Sequence, residues 1–223
     1  MILVPAAADE NSRNVVVLEQ VVMTTEKPFS PSCVENRVPI LRVLQPRLSG
    51  RSRLLEIGSG TGQHAVYFAP ELSHLHWQTS DCRDQHAGIQ AWLEEAALPN
   101  VAPPLALDVL EDDWPDATFD AVFSANTAHI MPETAVVAMF EGIGRVLEPD
   151  GLFLLYGPFN YDGEFTAPSN ADFDYWLRHR DPRMGIRDVS WLQELAKTNG
   201  LVLDDDVEMP VNNRMLMWRR VAC

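Results

Sequence analysis

The chain has 223 residues, with 17 basic side chains against 32 acidic ones, for a formal net charge of −15 at pH 7. That length suits one α/β domain with extensions, and a hydrophobic content of 46% is enough for a substantial core. A surface this negative repels phosphate backbones and so disfavours nucleic-acid partners. No stretch reaches the roughly 18 apolar residues of a membrane span. Met1 to Ala8 is apolar but lacks a basic flank and meets Asp9 and Glu10, so no signal peptide is expected. Cys33, Cys82 and Cys223 are odd in number, far apart and without metal-ligand spacing; they read as free thiols of a cytoplasmic protein.

In chain order, residues 1–29 form an N-terminal extension without a clear period. Its Asn14 to Met23 stretch suits a strand or a short helix that docks on the domain, caps a site or joins a homodimer. The Pro- and Ser-rich segment from Pro28 to Cys33 reads as extended. Apolar spacing predicts a helix over Val38 to Leu48. A strand at 53–57, a helix at 62–70, a strand at 76–81 and a helix at 84–97 follow. Further strands are expected at 103–107 and 120–124, then a helix at 133–147. Pro149, Asp150 and Gly151 read as a turn before a buried strand at 152–156. Strands separated by helices imply right-handed crossovers and a parallel sheet. Residues 157–187 form a polar and aromatic insertion on the substrate side. A helix at 189–199 and two strands at 201–209 and 214–219 close the domain, taken as residues 30–223.

Residues 54–62 carry the functional signal: Leu-Leu-Glu-Ile-Gly-Ser-Gly-Thr-Gly. A buried strand ends in Glu56 and opens into Gly58, Ser59, Gly60 and Gly62. Such glycines let the backbone turn sharply and approach a ligand where a Cβ would intrude. Strand, glycine turn and helix together form a nucleotide-type cradle. The dinucleotide pattern needs another glycine where Gln63 stands, and the phosphate-loop lysine is absent. Two more acids end the next strands. Asp81 is placed to accept ribose hydroxyls, and Asp108 with the Val109 N–H to read an adenine edge. Asn126 and His129 follow the fourth strand at the same rim. Asn126 is a candidate for the ligand or the substrate. His129 is a candidate general base, with Tyr156 and Tyr161 behind it, because imidazole titrates near neutrality. A packed or helix-capping His129 remains the open alternative. Asn170 and Asp172 are further candidates for the substrate side. The remaining histidines show no metal spacing, and no metal is assigned.

The acid-x-Gly-x-Gly-x-Gly turn resembles that of class I S-adenosylmethionine (SAM) methyltransferases. More specifically, the chain resembles a domain-of-unknown-function family of methyltransferase-like proteins over residues 30–220. The likeness rests on Gly-Thr-Gly-Gln-His-Ala from Gly60, Tyr-Gly-Pro-Phe from Tyr156, Asn36-Arg37, Ser80-Asp81, Asp108-Val109, Asn126 with His129-Ile130, and Gly185-Ile186-Arg187-Asp188. It implies a Rossmann-like fold, with a seven-stranded mostly parallel sheet, an antiparallel C-terminal strand and helices on both faces. It also implies SAM as the ligand, with Asn36 and Arg37 added to the binding residues. The chain departs from the family pattern at Cys33-Val34-Glu35 and at Thr127, Ala128 and Pro132-Glu133, which implies a reshaped pocket and a specialised small-molecule acceptor. The reading is therefore a SAM-dependent methyltransferase acting on a metabolite nucleophile by in-line displacement. A catalytically silent SAM-binding partner subunit and an NAD-dependent reductase are the alternatives.

Overall fold

The computed structural model describes residues 27–221. The expectations for Asn14 to Met23 and for Cys223 lie outside the described residues. The elements are α1 (Pro31–Leu48), β1 (Arg53–Ile57), α2 (Gln63–Phe68), β2 (His76–Asp81), a 3₁₀ turn (Arg83–Gln85), α3 (His86–Ala96), β3 (Val101–Ala106), β4 (Phe119–Ala125) and α4 (Glu133–Val146). After them come β5 (Leu147–Gly157), β6 (Phe159–Tyr161), β7 (Glu164–Phe165), α5 (Pro168–Arg180), β8 (Arg187–Asp188), α6 (Val189–Thr198), β9 (Leu201–Met209) and β10 (Asn213–Arg220).

Seven strands form one sheet in the order β3-β2-β1-β4-β5-β10-β9. The first five are mutually parallel, and β10 runs antiparallel to both of its neighbours. Successive strand side chains alternate faces, and the sheet has two cores as a result. Leu55, Ile57, Val122, Phe153 and Leu155 pack against α4 and α6 through Val136, Phe140, Ile143 and Leu192. Leu54, Ala121, Phe123, Leu152 and Leu154 pack on the other face against Ile40, Leu44 and Leu48 of α1 and Phe68 of α2. The strand order reverses beside β1, so a crevice opens beyond the carboxyl ends of β1 and β4, where ligands of such sheets bind.

Three elements depart from the sequence reading. Helix α1 starts at Pro31, so Pro31 to Cys33 are helical rather than extended. Proline has no N–H to waste at the first helical position, and its fixed φ is already suitable. The turn expected at Pro149 to Gly151 falls inside β5 as an irregularity: the register jumps from Leu147 opposite Phe119 to Leu152 opposite Ala121, and the strand begins before the turn. The extra residues bulge outward, and Asp150 takes a left-handed φ of 65°. The insertion is ordered as a small sheet, β7-β6-β8, together with α5.

Candidate functional site

The glycine turn leaves β1 with Gly58, Gly60 and Gly62 at φ of 71°, 58° and 86°. It is pinned to β2 by the Ser59 N–H donating to the Ser80 carbonyl (3.0 Å), and to itself by the Gly62 N–H on the Ser59 carbonyl (2.8 Å). A Cβ on Gly58 would lie 2.5 Å from Thr127 Cγ2, so the loop after β4 rests directly on the turn. A Cβ on Gly60 would meet nothing within 4 Å. That side of the turn opens into a cavity of about 960 Å³, at the top of the ~300–1,000 Å³ range of small-ligand sites.

Two of the three strand-end acids face this cavity. Asp81 ends β2 and lines it, with Oδ2 accepting from the Gly60 N–H (2.7 Å) and Oδ1 from the Cys82 N–H (2.8 Å). Each oxygen keeps a free lone pair for a ligand hydroxyl. Burial raises the Asp81 pKa, and the two amides oppose the shift. Asp108 lines the cavity with Val109; its Oδ1 accepts from the Leu110 N–H (3.0 Å), and Oδ2 lies 3.8 Å from the Cys82 thiol. Burial and the nearby Asp108, Asp81 and Asp84 push Cys82 up to about 11, so it stays a thiol.

The third acid is a correction. Glu56 is buried below the turn and does not line the cavity. Its Oε2 accepts from both the Ser59 hydroxyl (2.9 Å) and the Trp77 indole N–H (3.0 Å). Burial raises its pKa to about 7. Its place is under the backbone that would touch a ligand. Arg37 is also outside the cavity, its guanidinium stacked 4.4 Å over the Tyr67 ring. Gly62 lies away from the cavity against the Ile89 backbone, which a Cβ would approach to 3.2 Å. Tyr161 donates to Asp206 on β9 (2.7 Å), and neither it nor Asp172 lines the cavity.

Gly58, Ser59, Asn36, Asn126, His129, Tyr156 and Asn170 do line it. Asn126 holds a left-handed φ of 60°, and its N–H donates to the Tyr156 carbonyl (2.8 Å). Non-glycine residues in that region are sparse and concentrate at ligand sites. His129 is buried with its ring edge-on to Phe173 (centroids 5.3 Å). Burial, aided by Arg187, lowers its pKa to about 4, so the imidazole is neutral at physiological pH. Burial pushes the Tyr156 phenol up to about 12.

Three residues to which the sequence assigns no role hold the site together. The Gln63 carboxamide oxygen accepts from the Ser30 N–H (2.6 Å) and the Thr61 hydroxyl (3.0 Å), clamping the start of α1 onto the glycine turn. The buried His64 Nε2 lies 2.7 Å from Asn36 Oδ1, and burial keeps this imidazole neutral with a pKa of about 4. The pair holds the Asn36 side chain, which lines the cavity. The Arg187 side chain is only 3% exposed. It donates to the carbonyls of Ala128 (3.1 Å), Met131 (2.5 Å) and Arg183 (2.8 Å) and approaches Glu133, fixing the loop that carries His129. The signal for the first two is the Gln-His pair directly after the turn. For Arg187 the sequence carries no such signal, because Asp181, Arg183 and Asp188 make the same stretch charged.

A model of a protein family of unknown function, DUF938, matches residues 27–220. The chain belongs to this family. Among solved structures it is similar to the apo form of the S-adenosylmethionine-dependent methyltransferase SibL, with 20% identity and a TM-score of 0.73 over 86% of this chain and 56% of that one. An O-methyltransferase family protein from Burkholderia thailandensis matches at 14% identity and TM-score 0.70 over 83% of this chain and 58% of that one. The YcgJ protein from Bacillus subtilis matches at 17% identity and TM-score 0.66 over 82% and 98%. The chain thus spans little more than half the length of the first two. These likenesses show the fold of this family member: the Rossmann-like class I methyltransferase fold.

Proposed function

We propose that the chain is a SAM-dependent methyltransferase whose acceptor is a small molecule. The observation that carries this reading is the Asp81 carboxylate, held by the Gly60 N–H at the open lip of the glycine turn, one strand from Asp108. The residues fit the donor. The missing Cβ of Gly60 leaves the turn open to close approach, and each Asp81 oxygen retains capacity for one ribose hydroxyl. Asp108 and the Val109 N–H are assigned the adenine edge. Gly58, Ser59, Asn126 and the Asn36 amide take the amino-acid end, with Glu56 and Gly62 supporting the turn from below. When bound, SAM supplies a methyl group already activated by its sulfonium charge.

The chain's own residues then orient the acceptor and receive its proton. A neutral His129 accepts a hydrogen bond from the acceptor's O–H or N–H and takes its proton as the nucleophile reacts. Tyr156, retained as a phenol, walls the same end of the cavity beside Asn213. Holding the nucleophile in line is the larger contribution, because orientation alone is worth ~7–11 kcal/mol in well-placed systems. An NAD-dependent reductase is disfavoured by the buried Gln63 carboxamide in place of the third glycine. Calorimetric titration of the full chain with SAM and with NAD tests the reading. Saturable SAM binding without NAD binding is expected; NAD binding without SAM binding would overturn it.

A further inference from the structure

Beyond the strand-end acids, the cavity is walled by Tyr156, Pro158, Phe173, Pro210, Val211 and Ile130, an apolar and partly aromatic surface. Among the described residues no lysine or arginine lines it, while four acids do: Glu35, Asp81, Asp84 and Asp108. The neighbouring guanidinium groups are occupied elsewhere. Arg187 is spent on three carbonyls, Arg178 on Asp174 (2.7 Å), Arg214 on Asp206 (2.8 Å) and Arg37 on the Tyr67 ring.

The polar groups of this half point the same way. The buried Asn170 donates its amide hydrogens to the Asn212 carbonyl (3.2 Å) and the Thr166 hydroxyl (2.9 Å). A backbone carbonyl can only accept, so the Asn170 NH₂ must face it, and Oδ1 is the atom left for a ligand. His129, uncharged at neutral pH, adds a second acceptor rather than a cation. Anionic groups in proteins are met by Arg, Lys, helix N-termini or clustered N–H donors. The acceptor half has neither cation; at the α5 N-terminus, which lines it through Ser169 and Asn170, the Asn170 N–H is already held by the Ala167 carbonyl (3.0 Å), and Asn170 Oδ1 and His129 offer hydrogen-bond acceptors.

Resting on the methyltransferase reading, we infer that the methyl acceptor is a neutral or cationic molecule with an apolar, ring-sized body and an O–H or N–H donor, and that phosphate- and carboxylate-bearing acceptors are rejected. In the transfer, the acceptor's O or N forms a bond to the methyl carbon while the carbon–sulfur bond breaks. The electron pair of that bond leaves with sulfur as neutral S-adenosylhomocysteine, and the acceptor proton passes to His129 and then to water. A neutral or cationic donor is stabilised by Asn170 Oδ1, whereas an anion meets no lysine or arginine to pair with.

The test is a ligand-observed NMR screen of the full chain. S-adenosylhomocysteine affinity is first established by titration, and the saturated protein is then challenged with equal numbers of neutral, cationic and anionic aromatic fragments. Catechol, dopamine and 3,4-dihydroxybenzoate serve as a matched set differing mainly in charge. Neutral and cationic fragments are expected to bind at least tenfold more tightly than their anionic counterparts, with the preference lost in Phe173→Lys. Anions binding as tightly as the rest, or no fragment of any class binding, would overturn the inference while leaving the methyltransferase reading intact. Failure of S-adenosylhomocysteine itself to bind would remove that reading and this inference with it.

Discussion

Glu56 has both of its side-chain donors on one oxygen, Oε2, and a pKa raised to about 7 by burial. That geometry leaves Oε1 to carry a proton. Because the folded pKa lies above the unfolded value near 4.5, the native state binds more protons than the unfolded chain in between. Its contribution to stability is therefore full below about pH 4.5 and is lost as pH rises toward 7. Each tenfold change in proton affinity corresponds to about 1.4 kcal/mol, which puts the swing on the order of 3 kcal/mol. Glu56→Gln mimics the protonated form and should flatten the decline between pH 5 and pH 8 in denaturant unfolding; an unchanged decline would assign it to other groups. His129 shifts in the opposite direction. With a pKa of about 4, it is neutral and able to accept a proton across the whole neutral range. Turnover should thus show no acidic fall attributable to His129 above about pH 5. His129→Ala should lower kcat by roughly 10²-fold with any acceptor found, as for other lost general bases. Wild-type turnover in that variant at every pH would leave positioning alone.

At the scale of elements, the loop between β4 and α4 is held from outside by β8. Arg187→Met leaves the carbonyls of Ala128, Met131 and Arg183 without their donor, at ~1–3 kcal/mol for each buried group left unpaired. A loss of about 3 kcal/mol or more is expected in chemical denaturation. Arg187→Lys should recover only part of it, since one ammonium cannot span the same fork. A change under 1 kcal/mol would show that the loop holds without the arginine. This anchor is not legible in the sequence, because it joins residues 59 positions apart in the chain through backbone carbonyls that carry no sequence signal. The central strands are legible: β1 reads from Leu54, Leu55 and Ile57 ahead of the glycine turn, and β2 from a short stretch that closes in Asp81. The start of α1 is not, because proline both breaks helices and suits their first turn, and only the fold decides which applies. The depth of Glu56 escapes the sequence too, because period-2 alternation assigns a side chain to a face but not to the floor or the wall of a pocket.

Over the whole molecule, the sheet order β3-β2-β1-β4-β5-β10-β9 gathers the ends of β1, β2, β3 and β4 around one cavity. Segments far apart in sequence complete it: α1 from one side, α5 and the β9–β10 loop from the other. The alternation of strands and helices makes the sheet readable, and the acids at strand ends make its ligand side readable. The acceptor side is not, because Phe173, Val211 and Asn213 reach the cavity only through the packing of the insertion and the last hairpin. Where the methyl donor sits is measured directly by a crystal structure of the full chain with S-adenosylhomocysteine. The ribose hydroxyls should lie within hydrogen-bond distance of both Asp81 oxygens, the adenine beside Asp108 and Val109, and the sulfur facing His129 and Tyr156. A ligand found elsewhere, or one that leaves Asp81 untouched, would contradict the account.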